Sequence, residues 1–500
     1  MSERLSATLV KSLPGCVQCP RYDAEQHGAG IIHIGIGAFH RGHQAVFTDD
    51  ALAQSGGDWR IIGVSLRSPT VKEQLNPQDG FFTLIEKSTG KSTARVIGSI
   101  KEVIAAREEP QKLSEALADP SIKIVTMTVT EKGYHYDQSS QSIDWESADI
   151  QHDLVFPNEP KSMPGLLVKA CLKRMKSEYS HSSKLTIISC DNLPENGAIV
   201  KSVVLGLASR VDKKLVTWIQ NNVSFCSSMV DRIVPKVTVA DGQALTQQYG
   251  YEDQGLIVTE PFKQWVIEDN FCTERPDWES AGVLFVKQVS DYEKLKLRTL
   301  NGSHSALAYM GVLLGHKWIH QAVIDPLLVT VIQRLMQKET GPTIPTFPNV
   351  DLAEYQQQII QRFENSDIAY ATQQVASDGS QKLQQRILQA MEELYRENKE
   401  QHTACLMATL VCWLRYLKGS DEKGVTYIIN DPIADLLHAL VNEHWEQPID
   451  LVDALFKQTS IFPTSLKTTP NFTKRLIDGI HKITELGTHA YLSQILQDAE

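Results

Sequence analysis

Residues Ile31-Ile32-His33-Ile34-Gly35-Ile36-Gly37-Ala38-Phe39-His40 form a β-branched run that passes through two glycines into a helical pattern, and no other stretch restricts the fold as tightly. Glycines at the end of a strand allow a tight turn. They also let the backbone approach a pyrophosphate, whose charge is favoured by the N-terminus of the helix that follows. The third glycine of G-x-G-x-x-G is missing and His40 stands in its place, so a glycine turn that serves packing alone stays open.

The rest of the first half repeats strand-length runs at 31–34, 60–65, 123–130 and 184–189, separated by helix-like stretches such as 39–53 and 166–176. Strand, helix and strand in repetition predict an α/β fold with a mainly parallel, doubly wound sheet covered on both faces. At 500 residues the chain is too long for one ordinary core. Segments 352–363, 383–395, 404–417 and 472–486 carry helical periodicity with almost no strand-like alternation. The expected organisation is a Rossmann-type dinucleotide-binding domain over 1–285 and a mostly helical substrate domain over 286–500.

Several classes of function are disfavoured. A net charge of −11 without a basic stripe argues against nucleic acid. The longest apolar run, 404–414, is far shorter than the ~20 residues of a membrane span and reads as a buried core helix. Residues 1–15 lack the continuous apolar core of a signal peptide, so a cytoplasmic location is expected. Cys16 and Cys19 make a CxxC without a second pair at zinc-site spacing, so the eight cysteines read as ordinary thiols. His33, His40 and His43 have no carboxylate or cysteine at convincing ligand spacing. No metal site is predicted, and His33 reads as a core histidine.

The densest chemistry lies in 292–304. At about 100° per residue, Glu293, Lys296, Asn301 and His304 fall within an arc of about 140° on one helix. A solvated helix face would show the same spacing, but the apolar Ala306, Leu307, Met310 and Leu313 carry the segment inward. Lys296 and His304 would stand about 12 Å apart along an ideal axis, a gap for the lysine stem or a break at Gly302 to close. Carbonyl reduction needs hydrogen-bond donors on the oxygen that becomes negative and an acid to protonate it. A lysine can be that acid when burial and nearby positive charge lower its pKa from about 10.4. Asn192 follows a strand, at the end of a parallel sheet where ligands lie, although a loop or cap role is equally economical. The second strand ends in Ser65-Leu66-Arg67-Ser68-Pro69, without the acid that usually holds the adenosine ribose. Arg67 could accept a 2′-phosphate, which leaves NAD against NADP open.

Gly35–His43, Thr128–Tyr134, Ser189–Gly197, Met229–Ile233, Glu260–Asp269, Lys296–His304 and Asp378–Lys382 occur in the order found in the polyol-specific long-chain dehydrogenases, a family that the chain resembles over most of its length. The resemblance implies metal-independent hydride transfer with Lys296 as general acid/base, Asn192 and Asn301 as the oxyanion hole, His304 as a positioning group and Glu293 as a proton relay. It places Asp231 near the substrate, which would lie between the two domains. Gly35, Gly37, Phe39, Arg67, Thr130 and Glu131 make up the expected cofactor set, for NAD with NADP left open. Thr128–Tyr134 and Asp378–Lys382 look like fructuronate reductases (D-mannonate oxidoreductases), whereas 79–87 also looks like mannitol dehydrogenases, and Gln384 replaces the proline of the fructuronate pattern. Mannitol 2-dehydrogenase is therefore the alternative, and a non-catalytic sugar- or nucleotide-binding protein a remote one. A sugar acid needs a cation for its carboxylate, and Lys382 with Arg386, on one helical face, is the chosen pair; a pair of surface residues is the competing reading. The partner is thus a small sugar acid or polyol, with the chain a monomer or small homo-oligomer.

Overall fold

The computed structural model describes residues 2–177 and 183–498. Contacts divide the chain into two compact units, Met1–Ser290 and Asp291–Glu500.

The first unit is built on six parallel strands, β1 (Ala29–Ile34), β2 (Arg60–Ser65), β3 (Ile100–Ala105), β4 (Ile124–Met127), β5 (Leu185–Ser189) and β6 (Val223–Cys226). Their spatial order is β3-β2-β1-β4-β5-β6, the doubly wound order whose ligand crevice lies where the order reverses, between β1 and β4. Ile32 and Ile34 pack with Val125, Met127 and Ile187 on one face, under Leu113, Leu167 and Val200 of the helices. Ile31 packs on the other face with Ile61, Val46, Phe47, Trp265 and Trp278. One apolar run thus feeds two cores, because successive strand residues point to opposite faces.

The simple alternation expected from sequence misses several smaller sheets. Between β2 and β3 the chain forms an antiparallel hairpin, Phe82–Ser88 with Lys91–Ile97, extended by Ile257–Thr259 and Val17–Gln18. Ser228–Asp231, Gln264–Glu268 and Leu284–Val286 make another sheet. Ile257–Thr259 pairs with Leu84–Glu86 more than a hundred residues before it, a pairing with no trace in local periodicity. The helix expected over 39–53 is two helices, Ala38–Gly42 and Gln44–Ser55, because His43 at φ −128° and ψ −87° breaks the helical path.

The second unit is helical. Helix Ala404–Tyr416 is buried almost throughout and packs on Gly302–Leu313 and Pro470–Asp498. Its N-terminal N–H groups need acceptors away from water, and the buried Glu339 carboxylate accepts from Cys405 N at 2.7 Å and Leu406 N at 2.8 Å. The helix expected over 383–395 is Gly379–Leu383, a π-helical turn Gln384–Leu388 and then Gln389–Arg396.

Buried histidines lie beneath the glycine turn of the first unit. His33 bonds Thr126 Oγ1 at 2.8 Å and Thr128 Oγ1 at 2.9 Å, as a satisfied core histidine should. His40 stacks on it at 3.4 Å between ring centroids, and His43 Nε2 donates to Gln264 O at 2.7 Å. Burial lowers His33 and His43 to about 3, and His40 well below the ordinary imidazole value. All are neutral in the folded chain. A histidine whose pKa is depressed on folding contributes stability that is complete above its unfolded pKa of about 6.5 and is lost as pH falls below it, by about 1.4 kcal/mol per pH unit for each group. Urea unfolding of the whole chain should therefore show a transition weakened by several kcal/mol at pH 5 relative to pH 7. A level midpoint over that range would contradict the neutral buried set.

Candidate active site

A cavity of about 1340 Å³ opens at the carboxyl ends of β1, β2 and β4 in the first unit, lined by Gly35, Gly37, Arg67, Thr128 and Thr130 among others. Gly35 has φ +97°, and a Cβ there would lie 2.0 Å from the Thr128 carbonyl oxygen, so only glycine allows this turn beside β4. Gly37 is different. A Cβ at Gly37 would meet only Gly35 O at 3.8 Å, so protein packing does not demand its smallness, whereas a ligand lying on the backbone does. The two glycines and the crevice at the strand-order reversal fit a dinucleotide pyrophosphate.

The third glycine proves unnecessary at position 40, where the imidazole stacks flat on His33, and close packing shifts to Gly42, whose Cβ would meet Val234 at 2.8 Å. Phe39 does not line the cavity. Its ring stacks on His43 at 5.1 Å and packs against the core, because the first helical turn carries it away from the strand ends. Glu131 belongs to the 3-10 turn Glu131–Tyr134, and its side chain lies outside the described residues.

Asn192 sits in the loop beyond β5 and is exposed. Its neighbours hold the loop in place. Asp191 accepts from Val129 N at 2.9 Å and from the Tyr134 hydroxyl, and Asn196 Nδ2 donates to Asp191 O and Ser228 O, each at 2.8 Å. Asn196 thus braces this loop against strand Ser228–Asp231. Asp231 is buried at the end of strand Ser228–Asp231, opposite Gln264.

In the second unit Lys296 ends helix Ser290–Lys296 and is 7% exposed. Residues Leu297–Asn301 form a π-helical turn, and helix Gly302–Leu313 follows. The single regular helix of the sequence analysis is thereby corrected, and so is the break at Gly302, whose φ of −65° and ψ of −51° are helical. Gly302 N donates to Leu297 O, five residues back. Such bonding underwinds the helix between Lys296 and Asn301, so the angle that separates the two is smaller than the about 140° of a regular α-helix. The Asn301 Oδ1 atom is buried with no hydrogen-bond partner among the described residues, a place for a substrate atom to fill. His304 stacks on Phe363 at 4.8 Å and meets Tyr370 edge-on at 6.0 Å, which fixes its ring. Glu293, half-buried, stands nearly one turn before Lys296. Lys294 and Arg298 turn instead to Glu393, at 2.9 and 2.5 Å.

The second π turn packs against the first. A Cβ at Gly302 would lie 2.9 Å from Arg386 O, and Arg386 Nη1 donates to Ser305 Oγ at 3.0 Å. Arg386 is half-buried rather than a surface residue. Lys382, also half-buried, is already engaged by Asp378 at 3.3 Å and by Ser377 O at 2.8 Å, and it lies on the α-helical turn before the π turn that carries Arg386. Sequence reasoning missed Gly302 as the contact glycine, although it directly follows Asn301, and it missed Asp191, Asn196 and Arg107.

The family descriptions that match are the mannitol dehydrogenase Rossmann domain, over residues 29–280, and the mannitol dehydrogenase C-terminal domain, over residues 288–484. The chain belongs to the mannitol dehydrogenase family. It is an oxidoreductase of that family. D-mannonate oxidoreductase of Escherichia coli K12 is 38% identical over 473 residues, 94% of this chain and 96% of that protein. Mannitol dehydrogenase DSF1 of Saccharomyces cerevisiae is 35% identical over 497 residues, 98% of this chain and 97% of that protein. Mannitol 2-dehydrogenase of Pseudomonas fluorescens, solved as a ternary complex with NAD and D-mannitol, superposes with a TM-score of 0.85 at 36% identity and 99% coverage of each chain. Among the described residues no group of three or more His, Cys, Asp or Glu is placed to hold a metal ion, and no helix is long and apolar enough to cross a membrane.

In this member of the mannitol dehydrogenase family the Gly35 turn should be the least tolerant part of the nucleotide cavity. Gly35→Ala should weaken nucleotide binding at least about tenfold, because the backbone must shift by an ångström or more to clear Thr128 O. Titration calorimetry with NADH would check this, and an unchanged affinity would refute it.

Proposed function

We propose that the chain transfers hydride between NAD(H) and a ketose-type sugar acid, as a fructuronate reductase (D-mannonate:NAD oxidoreductase) does. The observation that carries this reading is Arg386. Among the described residues its guanidinium makes a single hydrogen bond, to Ser305, and it rides on a π turn locked against the helix of Asn301 and His304. A half-buried guanidinium with most of its five donors unused suits a carboxylate that must leave water. A neutral polyol would gain less from it.

When bound, the nicotinamide supplies or takes the hydride. In reduction, the amide N–H of Asn301 holds the oxygen that gains charge, and the Lys296 ammonium gives that oxygen its proton; Asn192 keeps the oxyanion role that the family resemblance implies. His304, fixed by Phe363, orients the substrate. Glu293 returns a proton to Lys296 from solvent, and Asp231 contributes to the substrate side of the first unit.

Mannitol 2-dehydrogenase activity is the second reading. It is favoured by the Asp378 carboxylate beside Lys382, which leaves Arg386 to offset a substrate charge alone, and by the near-complete coverage of the Pseudomonas fluorescens enzyme.

Lys296→Ala should lower turnover at least about a hundredfold at every pH, the lower range for a positioned acid/base. Steady-state rates close to wild type would remove Lys296 from the chemistry. Fructuronate should be reduced with a higher kcat/KM than fructose, and Arg386→Ala should cut the fructuronate value by about 10- to 100-fold while changing the fructose value much less. Equal losses on both substrates, or a native preference for fructose and mannitol, would transfer the assignment to the second reading.

A further inference from the structure

Dinucleotide folds with this strand order read the adenosine ribose at the end of β2, where a carboxylate accepts from the ribose hydroxyls and an arginine meets a 2′-phosphate. Here that loop holds no carboxylate. Ser65 Oγ donates to Ser68 O at 2.5 Å, Ser68 Oγ pairs with Thr70 Oγ1 at 2.6 Å, and Thr70 N donates to Ser68 Oγ at 3.2 Å. These bonds close the loop on itself and leave Arg67 exposed on the cavity wall.

A second arginine reaches the same cavity from another strand end. Arg107 follows β3, the neighbour of β2, and is likewise exposed along the wall. The acids next to it in sequence are drawn elsewhere, since Glu108 and Glu109 face Lys72 at 3.5 and 2.9 Å. Among the described residues the carboxylates that line the cavity, Asp149 and Glu159, come from the segment between β4 and β5 and are accompanied there by Lys161 and Lys169. The β2–β3 end of the cavity is therefore locally cationic in a chain of net charge −11. Such a local excess favours a dianion over a neutral ribose.

We propose that Arg67 and Arg107 clamp the 2′-phosphate of NADP(H), so that the cavity takes the phosphorylated dinucleotide at least as well as NAD(H). The inference rests on the nucleotide-binding part of the function proposed above and is independent of the sugar substrate. Guanidinium groups from two strand ends can each donate in parallel to phosphate oxygens, with the Ser65 and Ser68 hydroxyls beside them.

Calorimetric titration of the full-length protein, without sugar substrate, separates the two layers of the argument. 2′,5′-ADP should bind at least about tenfold more tightly than 5′-AMP, and Arg67→Ala and Arg107→Ala should each remove most of that difference. Both side chains are exposed, and circular dichroism of the variants would verify that they fold. The kcat/KM ratio of NADPH to NADH should fall in the same variants. If 5′-AMP binds as tightly as 2′,5′-ADP, or if the variants leave the difference intact, the clamp is overturned while the nucleotide cavity stands. If neither nucleotide binds, the nucleotide reading falls and the clamp with it.

Discussion

The centre of the first unit is the pairing of β1 between β2 and β4, and the cavity-forming backbone depends on how that strand ends. Parallel pairing on both sides removes every edge from β1, and burial on both faces removes solvent. The chain can then leave the sheet only through a turn that clears the carbonyl of Thr128 on β4's extension, and Gly35 is the residue that clears it. Everything the cavity offers follows from that exit. Gly37 becomes an open backbone surface, the short helix Ala38–Gly42 begins beside it, and His40 is carried back onto His33.

The second unit solves a different problem. A regular α-helix spreads Lys296 and Asn301 around its circumference, whereas a π turn between them narrows the angle that separates them. A π turn is costly in isolation, and here a second one packs on it. Gly302 permits the contact, since any side chain would collide with Arg386 O. The same contact carries Arg386 beside Ser305, so the geometry of the acid/base helix and the placement of the candidate carboxylate partner are coupled through one glycine. Glu339 does comparable work at the centre of this unit, where its carboxylate supplies acceptors to the buried start of Ala404–Tyr416. Burial raises its pKa to about 7, so the cap weakens as that carboxylate takes up a proton.

How much of this was legible beforehand depended on the range of the interaction. Strands β1, β2 and β5 and helix Ala404–Tyr416 follow from local patterns, because burial on both faces or on all sides leaves an unbroken apolar run. The hairpin between β2 and β3 and the sheet of Ser228–Asp231 were not legible. Phe39 and Glu131 stay expectations from the motif alone, because a motif position says nothing of which way a side chain points. Arg107 was invisible as a cavity residue because only sheet order makes β3 the neighbour of β2.

The sequence by itself determined the class of fold, since this rests on periodicity, and it supplied residue types able to move a proton and hold an oxyanion, since that chemistry is carried by single side chains. Tertiary structure alone decided that a π turn separates Lys296 from Asn301, that Asn196 braces the loop after β5, that Arg386 is held against Ser305 while Lys382 is drawn to Asp378, and that Arg67 and Arg107 share a wall. Each of these outcomes is set by a backbone register or a strand order, and neither has a local trace in the residues that it brings together.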